Sequence, residues 1–152
     1  MGIKNYTSQQ PVMRTIALIE VKLAVSGATQ ILKEYTPDGK VDSIAFIKRM
    51  NGFDMPFKLP AKISECEKIL RSRIRKPRKD TMKRISQQAE RTAWKLIFDW
   101  VDVQMTMIEL NQAEFMQVFM PYLYDHSTKQ TYFEKMKEKG LQKLLPALTE
   151  KG

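Results

Sequence analysis

The chain is poor in the residues from which most catalytic and metal sites are built. It has one cysteine, Cys66, so no intrachain disulfide and no cysteine-based zinc site can form. Its one histidine, His126, lies between Asp125 and Ser127 in a polar stretch that reads as an exposed loop. The six glycines are scattered, and none falls in a G-x-G-x-x-G or Walker phosphate loop. No serine occupies a G-x-S-x-G elbow. No apolar run approaches the roughly 18 residues that a membrane-spanning helix needs. The first residues, Gly2-Ile3-Lys4-Asn5-Tyr6, carry no apolar signal core, and Tyr6 stands where the myristoylation pattern needs Ser or Thr. The expectation is a protein that is cytosolic, or nuclear if eukaryotic, that is not an enzyme and has no catalytic residue, cofactor, metal or membrane association.

Positive charge, by contrast, is plentiful. Lys and Arg number 26 against 17 Asp and Glu, a net charge of +9. An excess of that size attracts polyanions such as nucleic acid, an anionic membrane or an acidic protein. Hydrophobic residues make up 43%, which argues for a packed core rather than wholesale disorder. A chain of 152 residues fits a single domain that buries roughly 70% of its unfolded surface.

Hydrophobic periodicity predicts an α+β fold in the order α-β-β-β-α-α-α. Thr7 and Ser8 can cap a first helix, with Pro11 in its first turn and Val12, Ile16, Ile19 and Leu23 on one face. Gly27 ends it. The period then changes to two. Residues 28–35, the turn Thr36-Pro37-Asp38-Gly39, residues 40–48, the hairpin signal Asn51-Gly52 and residues 53–59 form an antiparallel three-stranded meander. Pro56 assigns the third strand to an edge or a bulge. Ile63, Cys66, Leu70 and Ile74 mark a helix that Pro77 breaks. Asp80 or Thr81 can cap the next, running to about Leu110. Asn111, with Glu114 three residues on, predicts a short helix ending at Pro121. Tyr132 to Leu148 is a weaker helix, interrupted by Gly140 and stopped near Pro146. The chain divides into a helix-meander-helix half, 1–76, and a helical half, 80–148.

Residues 93–108 are apolar on nearly all sides, through Trp94, Ile97, Phe98, Trp100, Val101, Met105 and Ile108. Such a helix is central to a core or forms an interface, including one between copies of the chain. Asp99 and Asp102 share a face three residues apart, with Glu109 beyond. They read as partners of Lys95, Arg91 or another helix's arginine rather than as metal ligands. Cys66, on an apolar face, reads as core. Trp94, Phe98 and Trp100 read as buried, and Phe46, Phe53 and Phe57 fit either a core or an exposed strand face. Met105, Met107, Met116 and Met120 fit a core or an adaptable partner groove.

The most distinctive chemistry lies between residues 68 and 84. Lys68, Arg71, Arg73, Arg75, Lys76, Arg78, Lys79, Lys83 and Arg84 stand there against Asp80 alone. Arg71, Arg75 and Arg78 would share a helix face if the helix persists toward Pro77. Arginine meets phosphate with a planar pair of donors and lysine with a point charge, so these nine are the candidate nucleic-acid-binding residues.

Several phrases resemble a family of short uncharacterised proteins encoded on phages, prophages and other mobile elements. They are Gly27-Ala28 with Glu34-Tyr35, Pro56-Phe57-x-Leu59-Pro60, Ala89-Glu90-Arg91-x-Ala93-Trp94, Asp99-Trp100-Val101, Gln104, Ile108-Glu109 and Val118-Phe119-Met120-Pro121-Tyr122-Leu123. The resemblance implies a mobile-element setting, hence the cytoplasm of a host cell, and no catalytic residue. It also implies that Glu90, Arg91, Asp99 and Gln104 share a polar arrangement, read here as a buried network fixing helix packing. The α-β-β-β-α order with Lys58-x-x-Ala61-Lys62 also looks like a double-stranded-RNA-binding domain, although the first hairpin is tight and long helices follow. The expected function is that of a basic accessory protein binding the backbone of DNA or RNA. The alternative is a protein-interaction module that acts on a host factor or joins a larger phage complex.

Overall fold

The computed structural model describes residues 2–76 and 78–145. Its fold is α+β: a helix, a three-stranded antiparallel sheet, then helices. Pro77, Pro146 and Leu148, to which the sequence assigned helix breaks and a helix end, lie outside the described residues.

Helix α1 (Val12–Val25) buries Thr15, Ile16, Ile19 and Leu23 on one face. Thr7 and Ser8 do not cap it; Pro11 is the N-cap, and its carbonyl accepts the first helical bonds. Residues 4–8 are instead drawn onto a later helix by side-chain contacts that no local pattern reveals. Gly27, at φ +108°, turns the chain out of α1 as expected. Lys48 donates from the second strand to the Ser26 carbonyl and sits 4.7 Å from the Phe115 ring centre. Burial there pushes its ammonium pKa down.

Strands β1 (Ala28–Tyr35), β2 (Val41–Met50) and β3 (Phe53–Pro60) pair in sequence order. Asn51 and Gly52 both take positive φ, which gives the β2–β3 hairpin the twist its strands require. Pro56 lies in an edge strand, where its missing N–H is tolerated. Ile44 opposite Leu59 and Phe46 opposite Phe57 bring one face of the sheet into the core. Phe53 stays exposed at the hairpin.

Helix α2 spans Ile63–Ser72 and α3 spans Lys79–Glu109. The end of α2 corrects the expectation that it persists toward Pro77. Continuing it would set Arg71, Arg75 and Arg78 one turn apart as like charges, which is unfavourable. Ser72 instead bonds the Ile69 carbonyl, and Arg73 closes the helix. Arg78 is the N-cap of α3, while Asp80 lies in its first turn rather than capping it. The second half of α3 anchors it to the sheet: Trp94 is fully buried and its indole N–H donates to the Val41 carbonyl at 3.1 Å.

The all-round apolar stretch 93–108 has two different sides. Trp94 and Val101 have no solvent exposure, whereas Val103 is 53% exposed, and Phe98 and Trp100 are only partly buried. Asn111, at φ +58°, terminates α3 rather than capping the next helix. That role falls to Glu114, which forms a capping box with Gln117 on α4 (Phe115–Phe119). Phe115 and Phe119 stack at 4.4 Å and meet Phe46 and Phe57 edge-on. A small hairpin unforeseen in the sequence follows, β4 (Tyr124–Asp125) with β5 (Gln130–Thr131). Leu123 bridges to Phe57, which tethers this region to the β3 edge. Thr131 and Glu134 form the capping box of α5 (Tyr132–Lys139), which Gly140, φ +95°, interrupts, and a 3-10 turn, Leu141–Leu144, follows. One buried cluster runs from Ile16 through Phe46 and Trp94 to Phe119, and so draws on both halves of the chain.

Candidate nucleic-acid interface

Helices α2 and α3 pack against each other, so the basic segment forms the tip of a helical hairpin. Lys68 and Arg71 lie on α2; Arg73 is its C-cap; Arg75 and Lys76 follow in the link; Arg78 caps α3; and Lys79, Lys83 and Arg84 occupy its first turns. All nine are exposed. Lys68 pairs with Glu65 at 3.3 Å. Among the described residues no carboxylate forms an ion pair with Arg71, Arg75, Lys76, Arg78, Lys79, Lys83 or Arg84. Trp94 lies fifteen positions along α3 from Lys79, a rise of about 22 Å, and Lys40 of the β1–β2 turn donates to Ser86 between them at 3.1 Å.

The α3 side of the tip works against helix stability, whereas Arg71 in the last turn of α2 suits that helix's C-terminus. The N-terminus of a helix carries partial positive charge and favours acids nearby. Here Asp80 is the one acid in the first turn, amid Arg78, Lys79, Lys83 and Arg84. A sequence serving helix stability alone would place carboxylates at these positions.

Set against known proteins, the chain matches no family model, no curated protein and no solved structure. Function is therefore read from the surface chemistry of this fold.

A hollow of about 560 Å³ lies beside the tip, between the end of α2, the start of α3 and the N-terminal segment. Leu70, Ile74 and Ile85 supply apolar lining, with Tyr6 from the N-terminal segment. Arg73, Arg84 and Arg91 also line it, with Gln87 and Gln88. The structure thus brings two of the nine candidates, Arg73 and Arg84, to one site and adds Arg91 and Tyr6, which the sequence left out. Their separation along the chain hides that grouping. A weak signal was available in Arg91, which falls one further helical stretch along from Arg84.

The N-terminal segment is held on α3 by polar contacts. Asn5 donates to Asp99 at 2.8 Å, and Lys4 and Lys95 each pair with Asp99 at 3.3 Å. Thr92 donates to the Asn5 carbonyl, and Gln88 and Arg91 both donate to the Ser8 carbonyl. Burial pushes the Asp99 carboxyl pKa up, but the bonds from Asn5, Lys95 and Lys4 outweigh it and hold it below its ordinary value. Arg91 and Asp99 thus each hold the N-terminal segment on α3, with no bond between them, rather than fixing helix against helix. Among the described residues Glu90 and Gln104 form no hydrogen bond or ion pair with either.

The acidic candidates do not converge. Asp102 pairs with Lys22 of α1 at 2.8 Å, and Glu109 is exposed at the end of α3. Among the described residues no group of three or more His, Cys, Asp and Glu could hold a metal ion. His126 is exposed and packs edge-on against Tyr124. Cys66 is buried, and burial pushes its thiol pKa up, away from nucleophilic reactivity. Lys58 is engaged by Glu34 at 3.2 Å and by the Tyr124 ring, so of Lys58 and Lys62 the second alone stands exposed. No helix among the described residues is long and apolar enough to cross a membrane.

Proposed function

We propose that the chain is a nucleic-acid-binding accessory protein of a phage or mobile element, and that it grips the phosphate backbone with the α2–α3 tip. The observation that carries this reading is the exposed cluster from Lys68 to Arg84, most of it without a carboxylate partner, with Arg78 and Lys79 placed where they oppose the α3 dipole. Unneutralised arginines and lysines in such density gain most from a polyanion, because each phosphate they meet releases a condensed counterion. Contacts of this kind position the protein on the backbone without reading sequence. The mobile-element setting rests on the resemblance carried by phrases such as residues 118–123.

The test is a fluorescence titration of the full chain against single- and double-stranded DNA and RNA at about 50 mM salt, where counterion release favours complexes strongly. Binding is expected; absence of any complex overturns the proposal.

A second reading has its own observation. Val103 on α3 and Leu110 at its C-cap are 53% and 64% exposed, with Met107 between them. Apolar side chains grouped on one helix face fit a host or phage protein, or a second copy of the chain. Light scattering combined with a pulldown from host lysate tests it. A monomer that retains no protein removes this reading and leaves the first intact.

A further inference from the structure

We infer that the hollow beside the tip holds an unpaired base, making the protein's preferred ligand a single-stranded stretch of nucleic acid; this step rests on the function proposed above. Its volume, about 560 Å³, falls within the range of small-ligand pockets. The lining has the two parts that a nucleotide unit requires. Leu70, Ile74 and Ile85 present apolar surface, and Tyr6, 49% exposed, supplies an aromatic ring on which a base can stack. Arg84 and Arg91 supply guanidinium groups for the phosphate attached to that base. Arg91 is already oriented: its Nε donates to the Ser8 carbonyl at 3.2 Å and its Nη2 to Gln88 Oε1 at 2.7 Å. Those bonds use two of its five N–H donors and leave the rest for a ligand. Gln87 is exposed at the same hollow and offers an amide to a base edge.

Geometry sets the strand preference. In a duplex the bases are stacked and paired, so no base face is free to enter the hollow and its apolar lining stays empty. A single strand can turn one base out at low cost and fill it. The N-terminal segment is part of the device, because Tyr6 reaches the hollow only while Asn5 and Ser8 stay bonded to α3.

The experiment is anisotropy on the full chain with three labelled oligomers of equal length: an oligothymidylate single strand, the same strand with abasic sites in place of bases, and a duplex. The intact single strand should bind roughly tenfold tighter than its abasic counterpart, about what one stacked base supplies. Tyr6→Ala should remove most of that difference and leave affinity for the abasic strand unchanged. The wild-type comparison of intact and abasic strands stands even if the variant misfolds. Equal affinity for the two strands overturns the base site while leaving backbone binding in place. Failure to bind any of the three overturns both. Displacement of the intact strand, but not the abasic one, by an acidic leucine-containing peptide would overturn the base site and assign the hollow to a protein ligand.

Discussion

Residues 79–92 and 93–109 of α3 lie on one continuous helix, yet the first half presents Lys79, Lys83 and Arg84 to solvent while the second seats Trp94 and Val101 with no exposure. The second half is held by what it buries, including the Trp94 bond to Val41. The first half buries smaller groups, Ile85, Ala89 and Thr92, is flanked by α2 and the N-terminal segment, and leaves the charge at its start unspent. A long helix can thus serve as a core element at one end and as a rigid mount for a charged surface at the other. Stability and binding should then respond to substitutions in different places.

The largest expected effect is at the anchoring end. Trp94→Ala removes a fully buried indole and leaves the Val41 carbonyl without its donor, so it should cost about 3–5 kcal/mol in a urea titration. A loss near zero would mean that α3 is not held to the sheet as described. Next is the tip. Converting Arg75, Lys76, Arg78 and Lys79 to Gln should weaken nucleic-acid binding by roughly a hundredfold at low salt, since each phosphate left without a cationic partner keeps its condensed counterion. The same variant should unfold at an equal or slightly higher temperature, because neutralising Arg78 and Lys79 relieves the α3 N-terminus. A tip variant that lost stability and binding together would erase the distinction between the two ends.

The smallest effect concerns the strap that joins the N-terminal segment to α3. Asp99→Asn should cost about 1 kcal/mol, as Lys4 and Lys95 lose their partner and Asn5 loses a charged acceptor. Because the folded carboxyl titrates below its ordinary value, its contribution is present above the unfolded pKa and is lost as pH falls through the folded one. The stability difference between the wild type and Asp99→Asn should therefore begin to shrink as pH falls below about 4 and vanish once the folded carboxyl is protonated. Persistent divergence at low pH would assign the stabilisation to packing instead of charge.

These contrasts also mark what was legible in the sequence. Gly27, the Thr36–Gly39 turn, Asn51-Gly52 and Pro56 each act through their own backbone, so a short window suffices to read them. The order of helices and strands followed from those punctuation marks and from the change of period between Leu23 and Val41. The end of α2 was not legible, because like-charge crowding and the Ser72 bond compete with the proline signal. The β4–β5 hairpin has strands of two residues, too short for periodicity. The basic segment was visible as a run of charge, but the hollow was not, since it joins Tyr6, Ile74, Arg84 and Arg91 across the chain. Local chemistry marked where the charge lies, and tertiary contacts determine which of it shares a site.

The most direct test of the central claim is the salt dependence of duplex binding, measured for the wild type and for the tip variant. If about five tip residues meet phosphates, log K for the wild type should fall against log salt with a slope near −4.5, and the variant's slope should be flatter by about 0.9 for each phosphate it no longer neutralises. A wild-type slope near zero, or a variant with unchanged slope and affinity, would contradict the account.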